Sequence, residues 1–171
     1  LKYLFLNVTH LINFYRIKIG KEDSKRYIQK FSLNSYERPK RNLIWFHGSS
    51  VGEVLSVIPI IKELEKHKKI KKILITSSTL SSSKVVSKLN LKKTIHQFYP
   101  IDNYYITSKF LNHWQPNLVV FLESEIWPVM IENIKKNNIP LLLVNVRITR
   151  KSFNNLKKLL PNTKRIFEQF D

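Results

Sequence analysis

Between residues 43 and 145 the chain carries five short apolar runs, and the stretch after each has the spacing of a helix. The runs are Leu43 to His47, Ile73 to Thr76, Ile95 to Tyr99, Leu118 to Leu122 and Leu141 to Asn145. Most place apolar side chains at consecutive positions, so both faces of each strand need cover. The helical stretches fall at Gly52 to Lys66, Ser82 to Leu89, Tyr104 to Trp114, Trp127 to Asn137 and Lys151 to Leu159. This βα repeat specifies an α/β fold, a buried parallel sheet with helices on each side. A length of 171 residues leaves room for one such domain.

Sheets of this kind bind ligands in the loops beyond the carboxyl ends of their strands, where helix amino ends face the crevice. The first such loop is His47-Gly48-Ser49-Ser50-Val51-Gly52-Glu53 and holds two of the chain's three glycines. Their concentration here implies a positive φ or a close backbone approach that side chains would block. The loop has no Gly-Lys-Ser/Thr and no third glycine, which weakens nucleoside triphosphate and dinucleotide readings. Glu53 falls near a helix amino end, where the dipole favours the carboxylate; it is suited to accept a proton, or serves simply as a first-turn residue. After the fourth strand comes Glu123-Ser124-Glu125-Ile126-Trp127-Pro128, two carboxylates before a helix-starting proline in an acid-poor chain. The fold should bring Glu53 and Glu123 to one rim. The blander reading gives Glu125 a capping role and Trp127 a place in the core.

Two further loops share that side. Ser77 to Ser83 is rich in hydroxyls suited to phosphate or sugar oxygens, with a linker as the rival reading. Asn145, Arg147, Thr149, Arg150, Lys151 and Ser152 form a cationic loop, able to hold anionic groups or simply to be solvated. The lysine run from Lys66 to Lys72 belongs at the opposite end of the sheet and reads as a solvated turn.

Charge bears on partners. Lys and Arg number 30 against 12 Asp and Glu, a net charge of +18, which favours an anionic neighbour even if some of the excess reflects A- and T-rich codons. No aromatic-laced basic face or nucleic-acid module accompanies it. The chain has no cysteine, which excludes disulfides and thiol nucleophiles, and its five histidines have no metal-ligand spacing. Leu1, Leu4, Phe5, Val8, Leu11, Ile12, Tyr15 and Ile19 form one helical apolar stripe, interrupted too often by polar residues to span a bilayer. With Arg16, Lys18, Lys21, Lys25, Arg26 and Lys30 behind it, the segment is suited to lie on an anionic bilayer; the alternative is a helix packed on its own domain. The chain opens on Leu1 and stops without a polar tail, which reads as a fragment.

Taken together, these loops resemble the 3-deoxy-D-manno-octulosonic acid (Kdo) transferases of lipid A biosynthesis. His47-Gly48-Ser49-Ser50-Val51-Gly52-Glu53 is similar to the family's His-x-x-Ser-Val-Gly-Glu, and Glu123-Ser124-Glu125-Ile126-Trp127-Pro128 to its Glu-Thr-Glu-Leu-Trp-Pro. Tyr99-Pro100-Ile101-Asp102, Ile139-Pro140-Leu141 and the stretch from Val144 to Phe153 add to the likeness. The resemblance implies a Rossmann-like N-terminal half of a two-domain GT-B glycosyltransferase. Residues 1 to 40 would be a membrane-proximal segment and 41 to 171 the acceptor-binding domain, with the donor domain absent.

It further implies inverting transfer of Kdo from CMP-Kdo to a lipid A precursor, without a metal or other cofactor, at the cytoplasmic face of a bacterial inner membrane. Glu53 aligns with the family's general base and Glu123 with a second glutamate that stabilises the transition state. Ser49, Ser50, Gly52, Glu125 and Arg147 would contact substrate. The family's Thr-Pro-Thr-Gly is here Thr79-Leu80-Ser81-Ser82, a departure that puts this loop's substrate contact in question. Alone, the chain would not catalyse transfer. The other readings are a non-catalytic basic module on acidic membrane or RNA, and a GT-B enzyme acting on a different sugar.

Overall fold

The computed structural model describes residues 12–33, 36–38, 42–123, 125–146 and 162–171. Five strands, β1 (Leu43–His47), β2 (Lys72–Ser77), β3 (Thr94–Phe98), β4 (Leu118–Leu122) and β5 (Leu141–Val144), form one sheet in the order β3-β2-β1-β4-β5. Every pairing is parallel. The helices are α1, described over residues 12–18, then α2 (Val51–Lys66), α3 (Leu80–Lys88), α4 (Tyr104–Trp114), α5 (Pro128–Lys136) and α6 (Asn162–Phe167). Strand and helix positions match the sequence reading to within a few residues, while the helix expected from Lys151 to Leu159 lies outside the described residues.

Alternation along the strands sorts the core into two layers. Trp45, Leu74, Val119 and Phe121 point to one face and pack with Phe110, Leu111 and Trp114 of α4 and with Met130, Ile131 and Ile134 of α5. Phe46, Ile73, Ile75, Val120 and Leu122 point to the other and pack with Val54, Val57, Ile58 and Ile61 of α2 and with Val86 of α3. Consecutive apolar residues are therefore needed, one for each layer.

The helix starts are fixed by side chains. Ser50 caps α2 by accepting the Glu53 N–H, Thr79 caps α3 through Ser82, and Asn103 caps α4 through Tyr105. Helix α5 starts at Pro128 with no cap from its own N-cap residue, Trp127. Asp102, in the loop after β3, accepts the N–H groups of Val129 (3.2 Å) and Met130 (2.8 Å) instead. Burial pushes the Asp102 carboxyl above its ordinary range despite these two donors, and the Glu132 charge adds to the rise.

A 3-10 helix, Tyr27–Phe31, lies against β3. Arg26 donates to the His96 carbonyl at 2.8 Å and to Ser83 Oγ at 2.7 Å, and Gln29 Oε1 accepts the Phe98 N–H at 3.1 Å. The segment is thus joined to the sheet edge through the strand's own backbone. In α1 and the turn after it the stripe residues Ile12, Tyr15 and Ile19 are exposed together with Phe14, whereas Asn13 is buried; the earlier part of the stripe, Leu1 to Leu11, lies outside the described residues. Among the described residues no helix is long and apolar enough to cross a membrane.

Candidate active site

The strand order reverses direction between β1 and β4, and at such a switch point the loops leaving the two strands open a crevice. From β1 comes the loop of residues 48–50 leading into α2. Gly48 is required by close approach, since a Cβ there would meet Leu122 Cδ1 at 2.9 Å and Glu53 Cβ at 3.0 Å. Gly52 differs. It is an exposed residue of the first helical turn with nothing nearer than Ser50 Oγ at 3.9 Å, so the expected steric demand holds at Gly48 and not at Gly52. Neither has the positive φ that the sequence left open.

Glu53 is half-buried on the first turn of α2 and accepts the Ser49 N–H on Oε2 at 2.7 Å, while its own N–H donates to Ser50 Oγ at 3.2 Å. This reciprocal pair is a capping box shifted by one residue. The first-turn role weighed for Glu53 is therefore real, and it fixes the carboxylate against the Ser49 backbone at the helix start.

From β4 comes the loop with the two other glutamates. Glu123 sits at φ 55°, a left-handed conformation uncommon for a residue with a side chain, and its N–H continues the ladder to the Val144 carbonyl at 2.9 Å. Backbone held in such a region at the mouth of a crevice often marks function. Glu125 is anchored by Trp127 Nε1 at 2.7 Å and His47 Nε2 at 3.2 Å, both on Oε2. Burial pushes its carboxyl up, but His47, Ser49 and Trp127 as donors outweigh that and hold it below the usual range.

An aromatic wall backs the loop. Tyr99 stacks on His47 with ring centroids 3.8 Å apart and lies 5.0 Å from Trp127. Burial, with the Asp102 and Glu125 charges, pushes the Tyr99 hydroxyl well above its ordinary range. Trp127 is only partly buried against the core, so it serves both as the packing residue weighed in the sequence and as a donor to Glu125.

Ser49 joins the two sides, its N–H on Glu53 and its hydroxyl among the donors that lower Glu125. It also stands 3.1 Å from Ser78 Oγ. The hydroxyl-rich loop after β2 is largely committed to the fold: Ser77 bonds His96, Ser82 reaches the Ser49 carbonyl, Ser83 receives Arg26, and all three are buried. Ser78 and Thr79 are engaged as well, with Ser49 and Ser82, and Ser81 is exposed.

Of the residues singled out in the sequence, Ser49, Ser50, Glu53 and Glu125 are joined by hydrogen bonds, Gly52 and Glu123 lie on the same two segments after β1 and β4, and Ser124 and Arg147 lie outside the described residues. His47, Thr76, Tyr99 and Asp102, which hold the site from behind, carried no periodicity or spacing signal of their own. His47 stood at the head of the first loop's motif, and Tyr99 and Asp102 stood in a stretch that resembles the family, each without an assigned role. Among the described residues no group of three or more His, Asp or Glu side chains could hold a metal ion. A separate cleft of about 450 Å³ opens at the opposite end of the sheet. Arg38, Gln115, Asn117 and Asn138 line it with a guanidinium and amides, which offer neither a base nor a nucleophile.

A five-stranded all-parallel Rossmann-like domain with its polar groups at the switch point is the architecture of the N-terminal domain of a GT-B glycosyltransferase. The sequence comparisons narrow the class. The family model for 3-deoxy-D-manno-octulosonic-acid transferase (kdotransferase) matches residues 25–171. The 3-deoxy-D-manno-octulosonic acid transferase of Rickettsia bellii is 41% identical over 158 residues, 92% of this chain and 38% of that protein. A probable mitochondrial 3-deoxy-D-manno-octulosonic acid transferase of Arabidopsis thaliana is 35% identical over 88% of the chain and 34% of its own length. The Haemophilus influenzae transferase is 28% identical over 74% of the chain and 30% of its own length. The chain belongs to the Kdo transferase family, and it spans well under half the length of these relatives.

Proposed function

We propose that the protein transfers Kdo from CMP-Kdo to a lipid A precursor, this chain supplying the acceptor-binding half and a second domain the donor site. The observation that carries the reading is that Ser49 links Glu53, which accepts its N–H, to Glu125 on the loop after β4, at the β1/β4 switch point. A sugar hydroxyl attacks the anomeric carbon of Kdo, the bond to CMP breaks with inversion, and the hydroxyl proton passes to Glu53. General-base assistance of this kind contributes roughly 10² to 10⁴-fold. Glu123 stabilises positive charge that develops on an oxocarbenium-like sugar. No metal or other cofactor takes part in these steps.

Ser49, Ser50 and Gly52 line the acceptor's approach, Glu125 takes a substrate hydroxyl, and Arg147 holds an anionic group of the lipid. Placement at the cytoplasmic face of the bacterial inner membrane is supported by exposed Ile12, Phe14, Tyr15 and Ile19 beside Lys18 and Lys21. Such an apolar stripe flanked by cations suits an anionic bilayer. The chain without its donor half is inactive on this reading.

The test is Glu53→Gln in the full-length protein, assayed for Kdo transfer and for binding of the lipid acceptor. Transfer should fall by at least about 10²-fold with binding retained, whereas undiminished turnover would remove Glu53 from the mechanism. The alternative of a basic module on acidic membrane or RNA draws on the exposed Lys66, Lys68, Lys69 and Lys71 at the far end of the sheet. It requires binding that collapses with salt and ignores both Glu53 and Glu123.

A further inference from the structure

His47 is fully buried, pinned between Tyr99, stacked at 3.8 Å, and the edge of Phe121 at 5.4 Å. Both of its nitrogens are engaged. Nδ1 lies 3.0 Å from Thr76 Oγ1 and 3.2 Å from the Thr76 carbonyl, and Nε2 lies 3.2 Å from Glu125 Oε2.

The directions of these bonds follow from what each atom is able to do. Trp45 Nε1, a donor only, gives its hydrogen to Thr76 Oγ1 at 2.8 Å. The threonine's own hydrogen then has two acceptors, His47 Nδ1 at 3.0 Å and the Phe46 carbonyl at 3.5 Å, and the shorter contact is to the imidazole. At the other end an ionised Glu125 only accepts, so Nε2 carries the ring hydrogen. The bonds run one way, from Trp45 through Thr76 and His47 to the carboxylate, where Trp127 donates to the same oxygen at 2.7 Å.

We propose that Thr76 and His47 form a buried hydrogen-bond relay that locks His47 as its Nε2–H tautomer and thereby aims Glu125 into the crevice to accept a hydroxyl of the acceptor sugar. His47 is then a positioning residue acting through Glu125. Thr76→Val deletes the relay's donor while keeping its shape. Nδ1 is then left with the Thr76-position carbonyl, which calls for the other tautomer and withdraws the hydrogen from Glu125.

The relay does not depend on the transferase reading; the aim at an acceptor hydroxyl does, and two experiments separate them. In the full-length protein with ¹⁵N-labelled histidine, the His47 signals, assigned by their loss in His47→Gln, should have the Nε2–H pattern in wild type and lose it in Thr76→Val. An Nδ1–H or doubly protonated ring in wild type overturns the relay.

In transfer assays, His47→Ala should raise the KM for the lipid acceptor at least tenfold while leaving the KM for CMP-Kdo unchanged. His47→Gln, which restores a donor toward Glu125, should recover most of that loss. The double variant His47→Ala with Glu125→Gln should be no worse than Glu125→Gln alone. Additive losses, or equal effects on both substrates, overturn the positioning role. A wild-type protein with the expected tautomer and no Kdo transfer overturns the transferase reading and leaves the relay standing.

Discussion

The Ser49 backbone N–H donates to Glu53 Oε2 at 2.7 Å, so the carboxylate proposed as the base also closes the amino end of α2. One side chain therefore serves stability and chemistry, and substitutions should separate the two. Glu53→Gln keeps an oxygen for the Ser49 N–H and should unfold within about 0.5 kcal/mol of wild type, while Glu53→Ala loses the cap and should cost about 1 kcal/mol. Denaturant unfolding of both variants checks this; equal costs would deny the cap.

The two glycines of the same loop should respond in opposite directions. Gly48→Ala places a methyl within 2.9 Å of Leu122 Cδ1 and 3.0 Å of Glu53 Cβ and should destabilise by about 1 to 3 kcal/mol. Gly52→Ala meets nothing closer than 3.9 Å and, as a helical glycine, should stabilise by up to about 1 kcal/mol. Thermal midpoints decide the contrast. A more stable Gly52→Ala that binds lipid acceptor poorly would mean the glycine is kept for substrate access.

Glu123 bears a side chain at φ 55°, where glycine is at ease. Glu123→Gly should therefore hold or gain stability, by up to about 1 kcal/mol, while Kdo transfer is lost. Glu123→Val, β-branched at the same φ, should destabilise. If both variants melt alike, backbone strain at this position is negligible.

Burial and the nearby Arg26 charge push the His96 imidazole from an ordinary 6.5 down to about 3. Between those values the unfolded chain takes up a proton that the folded chain does not, so stability falls as pH drops from about 6.5 toward 3. Each unit of the gap is worth ~1.4 kcal/mol. On moving from pH 7 to pH 5, wild type should lose more in urea midpoint than His96→Gln; parallel losses would assign the acid sensitivity elsewhere.

Asp102 holds α5 from outside the helix by accepting from Val129 and Met130. Asp102→Ala should cost about 1 to 2 kcal/mol and loosen the loop that carries Glu123 and Glu125. Faster amide exchange at residues 129–131 is the readout, and unchanged exchange would make the cap incidental.

The strands and most helices were legible because the layered core writes itself into consecutive apolar residues such as Trp45-Phe46 and Val119-Val120-Phe121. Glu53, Glu123 and Glu125 stood out in the sequence because acids are scarce in the chain and these three follow the ends of parallel strands. The support behind them did not. Asp102 acts on a helix that begins 26 residues later, and Thr76 reaches His47 from a neighbouring strand, contacts that exist only once the sheet registers. Gly52 misled for the opposite reason: glycine scarcity raised the weight of a position that the helix geometry leaves open.

Strand β3 lies at the outside of the sheet, yet Arg26 and Gln29 already occupy the His96 carbonyl and the Phe98 N–H. An outer strand with vacant amides is a template onto which another chain can zip, the first step toward aggregation. Here two of those groups are taken by side chains of residues 26 and 29. Residues 26 to 29 thus guard an edge of the sheet, a duty separate from any part they have in reaching a lipid.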